Sequence, residues 1–316
     1  MGQICTGQNS CYDSSSVISC SSPEDFIYYG GQDAYYANHG ACAPHNFQLE
    51  TVVDNTTVKD LNTKLEWKQS VSTEKYSWGD AVSYCENLEY GGHNDWRLPS
   101  PHEFLTIADR SRCYPAVDTA FFSEISCSIE GSCADLWTSE EYFTDSQEYA
   151  FRFLSSTGMI SFVAKTSVVD DVVTNNRNYV MCVRGNELPE ASFIVKPIGN
   201  DVVVIDIANR LMWQKSYETK QYSALDYCNN LTYSGYSDWR LPNINELATL
   251  LKYDMTEAPY SEFPDMPLGY FVSSTTFNKP SSSSEARQVF SVFTSGSISS
   301  ISSNYEALIR CVSDTD

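Results

Sequence analysis

Cys85-Glu-Asn-Leu-Glu-Tyr-Gly-Gly-His-Asn-Asp-Trp-Arg-Leu-Pro99 returns later in the chain as Cys228-Asn-Asn-Leu-Thr-Tyr-Ser-Gly-Tyr-Ser-Asp-Trp-Arg-Leu-Pro242, identical at ten of fifteen positions. The likeness extends outward in both directions. Upstream, Val58-Lys-Asp60 and Leu65-Glu-Trp67 match Val204-Ile-Asp206 and Leu211-Met-Trp213; downstream, Met181-Cys182-Val183 matches Arg310-Cys311-Val312. A long period repeated only twice is a duplicated domain and not a solenoid. The 316-residue chain therefore divides into a leader at 1–50, a first domain at 51–185, a turn-forming linker at 186–191 and a second domain at 192–316. Each domain is long enough to bury a core of its own.

Both copies read alike locally. Trp67 closes a strand, and Trp78, Ala81, Val82, Cys85 and Leu88 then fall on one face at helical spacing; Ala224, Leu225, Cys228 and Leu231 repeat the pattern. Gly92 or Gly235 stops that helix. Ser100-Pro-His-Glu103 supplies a hydroxyl cap, a Pro at the first helical position and a Glu three residues on, a helix start that Asn243-Ile-Asn-Glu246 repeats with an amide. Ser- and aromatic-rich strands follow, among them Trp137-Thr-Ser139, Tyr149-Ala-Phe-Arg-Phe153 and Met159-Ile-Ser-Phe-Val163. The expected fold class is α+β, each domain having two helices and a small antiparallel sheet.

Eleven cysteines without a CxxC pair or a Cys/His metal pattern point to disulfides and an oxidising compartment. Because the first helix and the last strand each carry a cysteine in both copies, Cys85–Cys182 and Cys228–Cys311 are expected to tie the two ends of each domain. Each contributes at most roughly 4–5 kcal/mol by loop-closure entropy. Cys11–Cys20, Cys127–Cys133 and Cys5–Cys42 are the expected pairs among the rest, with Cys113 left over. Cys5, close to the start, is alternatively a lipid-modified residue of a precursor. No run approaches the ~20 apolar residues of a membrane span. A mature exported protein is expected, extracellular or at the cell surface, with the periplasm also open.

The balance of 41 acidic against 20 basic residues, a net charge of −21, repels polyanions and argues against nucleic acid or an anionic membrane as partners. Solubility alone accounts for such acidity, while a cation or a neutral or basic ligand meets no barrier. His39, His45, His93 and His102 show no ligand spacing, and neither a Gly-x-Ser-x-Gly elbow nor a phosphate loop occurs. No catalytic constellation, metal site or cofactor is expected, and the chain is read as something other than an enzyme.

A helix ending in Tyr-Cys, the Gly-x-x-Asp-Trp-Arg-Leu-Pro string, the Glu at the next helix start, the Trp/Ser/Thr strand and Arg310-Cys311-Val312 near the end resemble the Lcl C-terminal domain family. That family is named for the last domain of a bacterial collagen-like adhesin. Thr6-Gly-Gln8, Cys11-Tyr-Asp13, Cys20 and Gly31-Gln-Asp-Ala34 are similar to the leader found before tandem copies in the family, so the resemblance covers nearly the whole chain. It implies two C-type-lectin-like domains and, from the adhesin, a sulfated glycosaminoglycan ligand, which a charge of −21 opposes. Asn94-Asp95 stands in the wrong order for the usual calcium-dependent sugar site of lectins. The copies depart from each other where Met181 faces Arg310, Ser313 faces Arg184 and Val272 faces Trp137.

Asp95, Trp96, Arg97 and Glu103, with Asp238, Trp239, Arg240 and Glu246, combine an aromatic face with charge in the way a sugar site does. Their repetition argues instead for scaffold, with the Trp in the core and each Arg paired to a carboxylate, Asp95 or Glu103 in the first copy. The copies diverge at 107–135, which holds Asp109, Arg110, Arg112, Tyr114 and Asp118, and at 253–269, which holds Asp254, Glu257, Tyr260 and Asp265. Long loops on a fixed scaffold carry binding, and Tyr offers contact area at low entropic cost. Asp109, Tyr114, Asp118, Asp254, Tyr260 and Asp265 are thus the candidate ligand-binding residues, although plain surface variation is the simpler explanation of them. The expected function is an exported bacterial surface or secreted adhesion protein that recognises a glycan or protein, on a host or a neighbouring cell. The alternative is a structural component that self-associates through exposed aromatic surface and its odd cysteine.

Overall fold

The computed structural model describes residues 5–8, 10–12, 17–18, 20, 32–34, 43–127, 133–169, 172–220, 224–253, 261–264, 266–267, 269–277, 288–293, 296–302 and 306–315. The chain forms two compact units: one gathers 45–188 with 253–256, and the other gathers 1–44, 189–252 and 257–316. The leader is therefore part of the unit built on repeat two. It contributes a short antiparallel pair, β1 (Cys11–Tyr12) with β2 (Val17–Ile18).

The repeat-one unit runs through β3 (Phe47–Val52), β4 (Asn55–Asp60), β5 (Glu66–Lys68), α1 (Trp78–Glu86), α2 (Pro101–Ile107), β6 (Asp135–Phe143), β7 (Glu148–Leu154), β8 (Met159–Ala164), β9 (Thr166–Val169), β10 (Val172–Asn175) and β11 (Val183–Arg184). Val53 and Asp54 both sit at left-handed φ (45° and 63°), which closes the tight β3–β4 hairpin with the twist its strands need. The last strand returns to the first sheet, giving the order β11-β5-β4-β3 with Val183 opposite Trp67. β6-β7-β8 forms a second antiparallel sheet with a bulge between Trp137 and Glu141. β9 and β10 form a separate hairpin.

Repeat two follows the same path through β12 (Phe193–Ile198), β13 (Asp201–Asp206), β14 (Leu211–Gln214), β15 (Glu218–Lys220), α3 (Ala224–Asn229), α4 (Ile244–Ala248), β16 (Tyr270–Phe277), β17 (Gln288–Phe293), β18 (Ile298–Ser302), β19 (Ala307–Ile309) and β20 (Val312–Asp314). Its first sheet is β12-β13-β14-β20, with Trp213 opposite Val312. Its second is β15-β19-β16-β17-β18, in which β16 and β19 run parallel and the other pairs antiparallel. β16 carries the same bulge, between Val272 and Thr276.

The expectation of an α+β chain of two C-type-lectin-like domains, each with two helices and one small antiparallel sheet, is corrected. Among the described residues, strands make up 40% and helices 12%, and several sheets share the work in each unit. The helices are short, from nine residues in α1 to five in α4. The physical reason is that caps signal where a helix begins but not how far it runs. Ser100 closes a full capping box with Glu103, yet α2 ends seven residues on, where Ala108 enters extended backbone and bridges to Val117.

The cores form around the bridged cysteines. Cys85 and Cys182 are joined, as are Cys228 and Cys311. The first bridge packs with Ala81, Trp96, Leu98, Trp137, Ala150 and Val180, and the second with Leu225, Trp239, Leu241, Val272 and Ile309. Val272 is smaller than Trp137, and the second core also includes Met212 and Ala307. Cys11–Cys20 and Cys127–Cys133 are also bonded. The Cys5–Cys42 pairing lies outside the described residues, because Cys42 does.

Candidate functional site

The repeated Asp-Trp-Arg-Leu-Pro string is held from both sides. Arg97 exchanges both backbone hydrogen bonds with Val183, at 2.8 and 2.9 Å, and Arg240 does the same with Val312. The string thus edges the last strand, and its tryptophans turn into the cores, Trp96 and Trp239 each 2% exposed. Each indole N–H is satisfied by a carbonyl, Trp96 by Tyr90 and Trp239 by Tyr233, as a buried donor requires.

Each arginine then meets the capping glutamate of the following helix. Arg97 forms a two-pronged pair with Glu103, at 2.7 and 2.5 Å, while Glu103 also accepts the Ser100 N–H. Arg240 makes the same fork with Glu246, which accepts the Asn243 N–H. One carboxylate therefore caps a helix and neutralises a guanidinium. Burial pushes Arg240 down, but Glu246 and then Asp314 reverse this and hold it ionised far above its ordinary range. Asp95 and Asp238, the outer members of the string, face the final strand. Asp95 pairs with Arg184, whose other nitrogen reaches Glu66, and Asp238 accepts from Ser313 at 3.0 Å. The Arg184 hydrogen bond holds Asp95 below the usual carboxylate range.

The divergent loop of repeat one is also tied down. Asp109 is buried, with one oxygen accepting the Ser111 N–H and hydroxyl and the other paired with Arg112 at 2.7 Å. Arg112 extends 3.6 Å from Asp118, so Asp109 and Asp118 are joined through a cation that itself stays 42% exposed. Tyr114 sits at φ 58° with its N–H on Ser156 O, and the residue is 38% exposed. A non-glycine residue held at that φ is strained, and the neighbouring Ala116–Ser155 and Asp109–Ala116 backbone bonds fix it there. The loop thus presents Arg112, Tyr114 and Asp118 to solvent and keeps Asp109 inside. Asp254, Tyr260 and Asp265, the candidates of the second loop, lie outside the described residues.

Beneath the first loop, Arg110 is 2% exposed and donates to the carbonyls of Thr157 and Gly158. Gly158 has φ +73°, and a Cβ added there would lie 2.5 Å from an Arg110 nitrogen. A second buried polar group was missed by sequence reasoning: in the repeat-two unit, leader residues Gln8 and Asp33 bond to Thr276 and Thr275 on β16, and Thr6 donates its hydroxyl to Asp33. Thr6-Gly-Gln8 and Gly31-Gln-Asp-Ala34 marked the leader, but nothing local names the partner strand. Among the described residues, no three His, Cys, Asp or Glu side chains gather to hold a metal ion, and no helix is long and apolar enough to cross a membrane.

Residues 56–184 and 202–313 each match the family model described as Lcl C-terminal domain, which together is most of the chain. No curated protein matches it. The chain belongs to the Lcl C-terminal domain family, and the match, with four cysteine pairs bonded among the described residues, is that of a bacterial surface or secreted protein domain.

Proposed function

We propose that this member of the Lcl C-terminal domain family is an exported binding protein, without catalytic activity, that recognises a glycan or protein ligand through the loops that differ between its repeats. One observation carries this reading. The repeated Trp, Arg and Glu side chains are consumed by the core and by each other, whereas Arg112, Tyr114 and Asp118 of the divergent loop are anchored by backbone bonds and remain open to solvent. An ordered loop presenting a Tyr beside an ion pair loses little entropy on binding. Glycan and protein arrays probed with the wild type and with Tyr114→Ala test it. Binding should fall at least tenfold in the variant while the melting temperature is kept; unchanged binding moves the site elsewhere.

A second reading, self-association at a cell surface, is favoured by the β9–β10 hairpin, whose Val168, Val172 and Val173 are 67, 59 and 66% exposed. Apolar side chains gathered on a two-stranded ribbon favour pairing with another edge. Light scattering after size exclusion separates the readings: a monomer at all concentrations speaks against assembly.

A further inference from the structure

In the repeat-two unit the leader is fastened to the bulge of β16 by side chains. Gln8 donates Nε2 to the Thr276 carbonyl at 2.9 Å and accepts the Thr276 N–H on Oε1 at 2.7 Å, so its carboxamide takes the place of a neighbouring strand's peptide group. Beside it, Asp33 Oδ2 accepts from the Thr6 hydroxyl at 2.5 Å and the Thr275 hydroxyl at 2.7 Å. Both hydroxyl oxygens already accept a backbone N–H, Thr6 from Gln8 and Thr275 from Ile244, which directs their protons to Asp33. Counting from Trp137 and Val272, repeat one has Glu140 and Glu141 at the positions of Thr275 and Thr276. The fastening is built for repeat two.

We propose that the leader segments carrying Thr6, Gln8 and Asp33 are a proton-operated clasp on repeat two, closed most firmly when Asp33 is protonated and loosened when it ionises. Asp33 is 2% exposed, and among the described residues it bonds to neutral hydroxyls and to no cation. Among the described residues, the charged groups that act on it are Glu246 of α4 and Arg240 of the repeated string, in opposite directions. Burial pushes its carboxyl up to about 6, against the hydroxyls of Thr6 and Thr275, with Glu246 adding to the rise and Arg240 opposing it. The closed state therefore keeps a proton that the open state gives up above its ordinary 3.8. Closure is strongest below that value, weakens as pH rises through about 6, and is constant above.

The Thr276 amide, whose hydrogen bond goes to Gln8, reports the clasp directly. In the full chain, its hydrogen exchange corrected for intrinsic rate should show about a tenfold fall in protection from pH 5 to pH 7.5. Asp33→Asn, a neutral isostere, should keep the amide protected and remove the pH response. Gln8→Ala should leave it unprotected at both pH values. A wild type without pH response overturns the proposal, as does an Asp33→Asn protein that still responds or that loses protection at both values. Protection that survives Gln8→Ala shows that the leader is not what shields β16, and also overturns it.

Discussion

Arg240 and Arg97 hold equivalent positions, but their side chains are 7% and 24% exposed, and this difference sets what their loss should cost. Arg240→Met leaves Glu246 buried with its charge uncompensated, so denaturant unfolding should show a loss of about 3–5 kcal/mol. Arg97→Met should lose less, because water can reach Glu103 through the opening that the guanidinium leaves. Equal losses would mean that the fork matters only as a helix cap. Gly158→Ala should lower the melting temperature, since its Cβ would meet Arg110 and its positive φ disfavours any side chain; a loss of about 1–3 kcal/mol is expected. The repeated string announced Trp96 and Arg97 as scaffold because a string kept in both copies serves what both copies share. Which carboxylate Arg97 takes was not legible, because Asp95 and Glu103 are both near in sequence. Only the return of the last strand, which brings Arg184 to Asp95, decides it.

At the level of elements, each long-range bridge closes a loop of sequence separation 97 or 83, against 6 for Cys127–Cys133. Chain-entropy arithmetic gives roughly 4–5 kcal/mol for either long bridge and about 2 for the short one. Cys85→Ala with Cys182→Ala should thus destabilise the repeat-one unit far more than Cys127→Ala with Cys133→Ala, as read by the denaturation midpoint. Comparable effects would mean that the unfolded chain is already restricted. These bridges could be read from sequence because the same two elements carry cysteine in both copies. The balance of helix and strand could not be, because caps and apolar spacing locate α1 and α2 without limiting their length. The division of strands between sheets depends on pairing across the domain, as when Val183 comes beside Trp67. The divergent loop was legible as a difference between copies, but the burial of Asp109 was not: its carboxylate is spent on Ser111 and Arg112, inside the turn it begins.

For the whole molecule, a charge of −21 governs which ligands can approach before any loop is reached. An anionic ligand such as heparin is repelled at long range, and salt screens that repulsion over ~8–10 Å. Any heparin binding should therefore strengthen as salt rises from low values. A cationic ligand should do the reverse, binding faster at low salt with the change confined to the association rate. A neutral glycan should show little dependence. Local charge does not overturn this expectation at the divergent loop, because Arg112 is already neutralised by Asp109 and lies near Asp118. Association rates measured at several salt concentrations therefore classify the ligand by charge without identifying it, and Tyr114→Ala should change the dissociation rate while leaving that salt dependence intact. Tight heparin binding at low salt that weakens with added salt, and is indifferent to Tyr114→Ala, would place both the ligand class and the binding surface elsewhere.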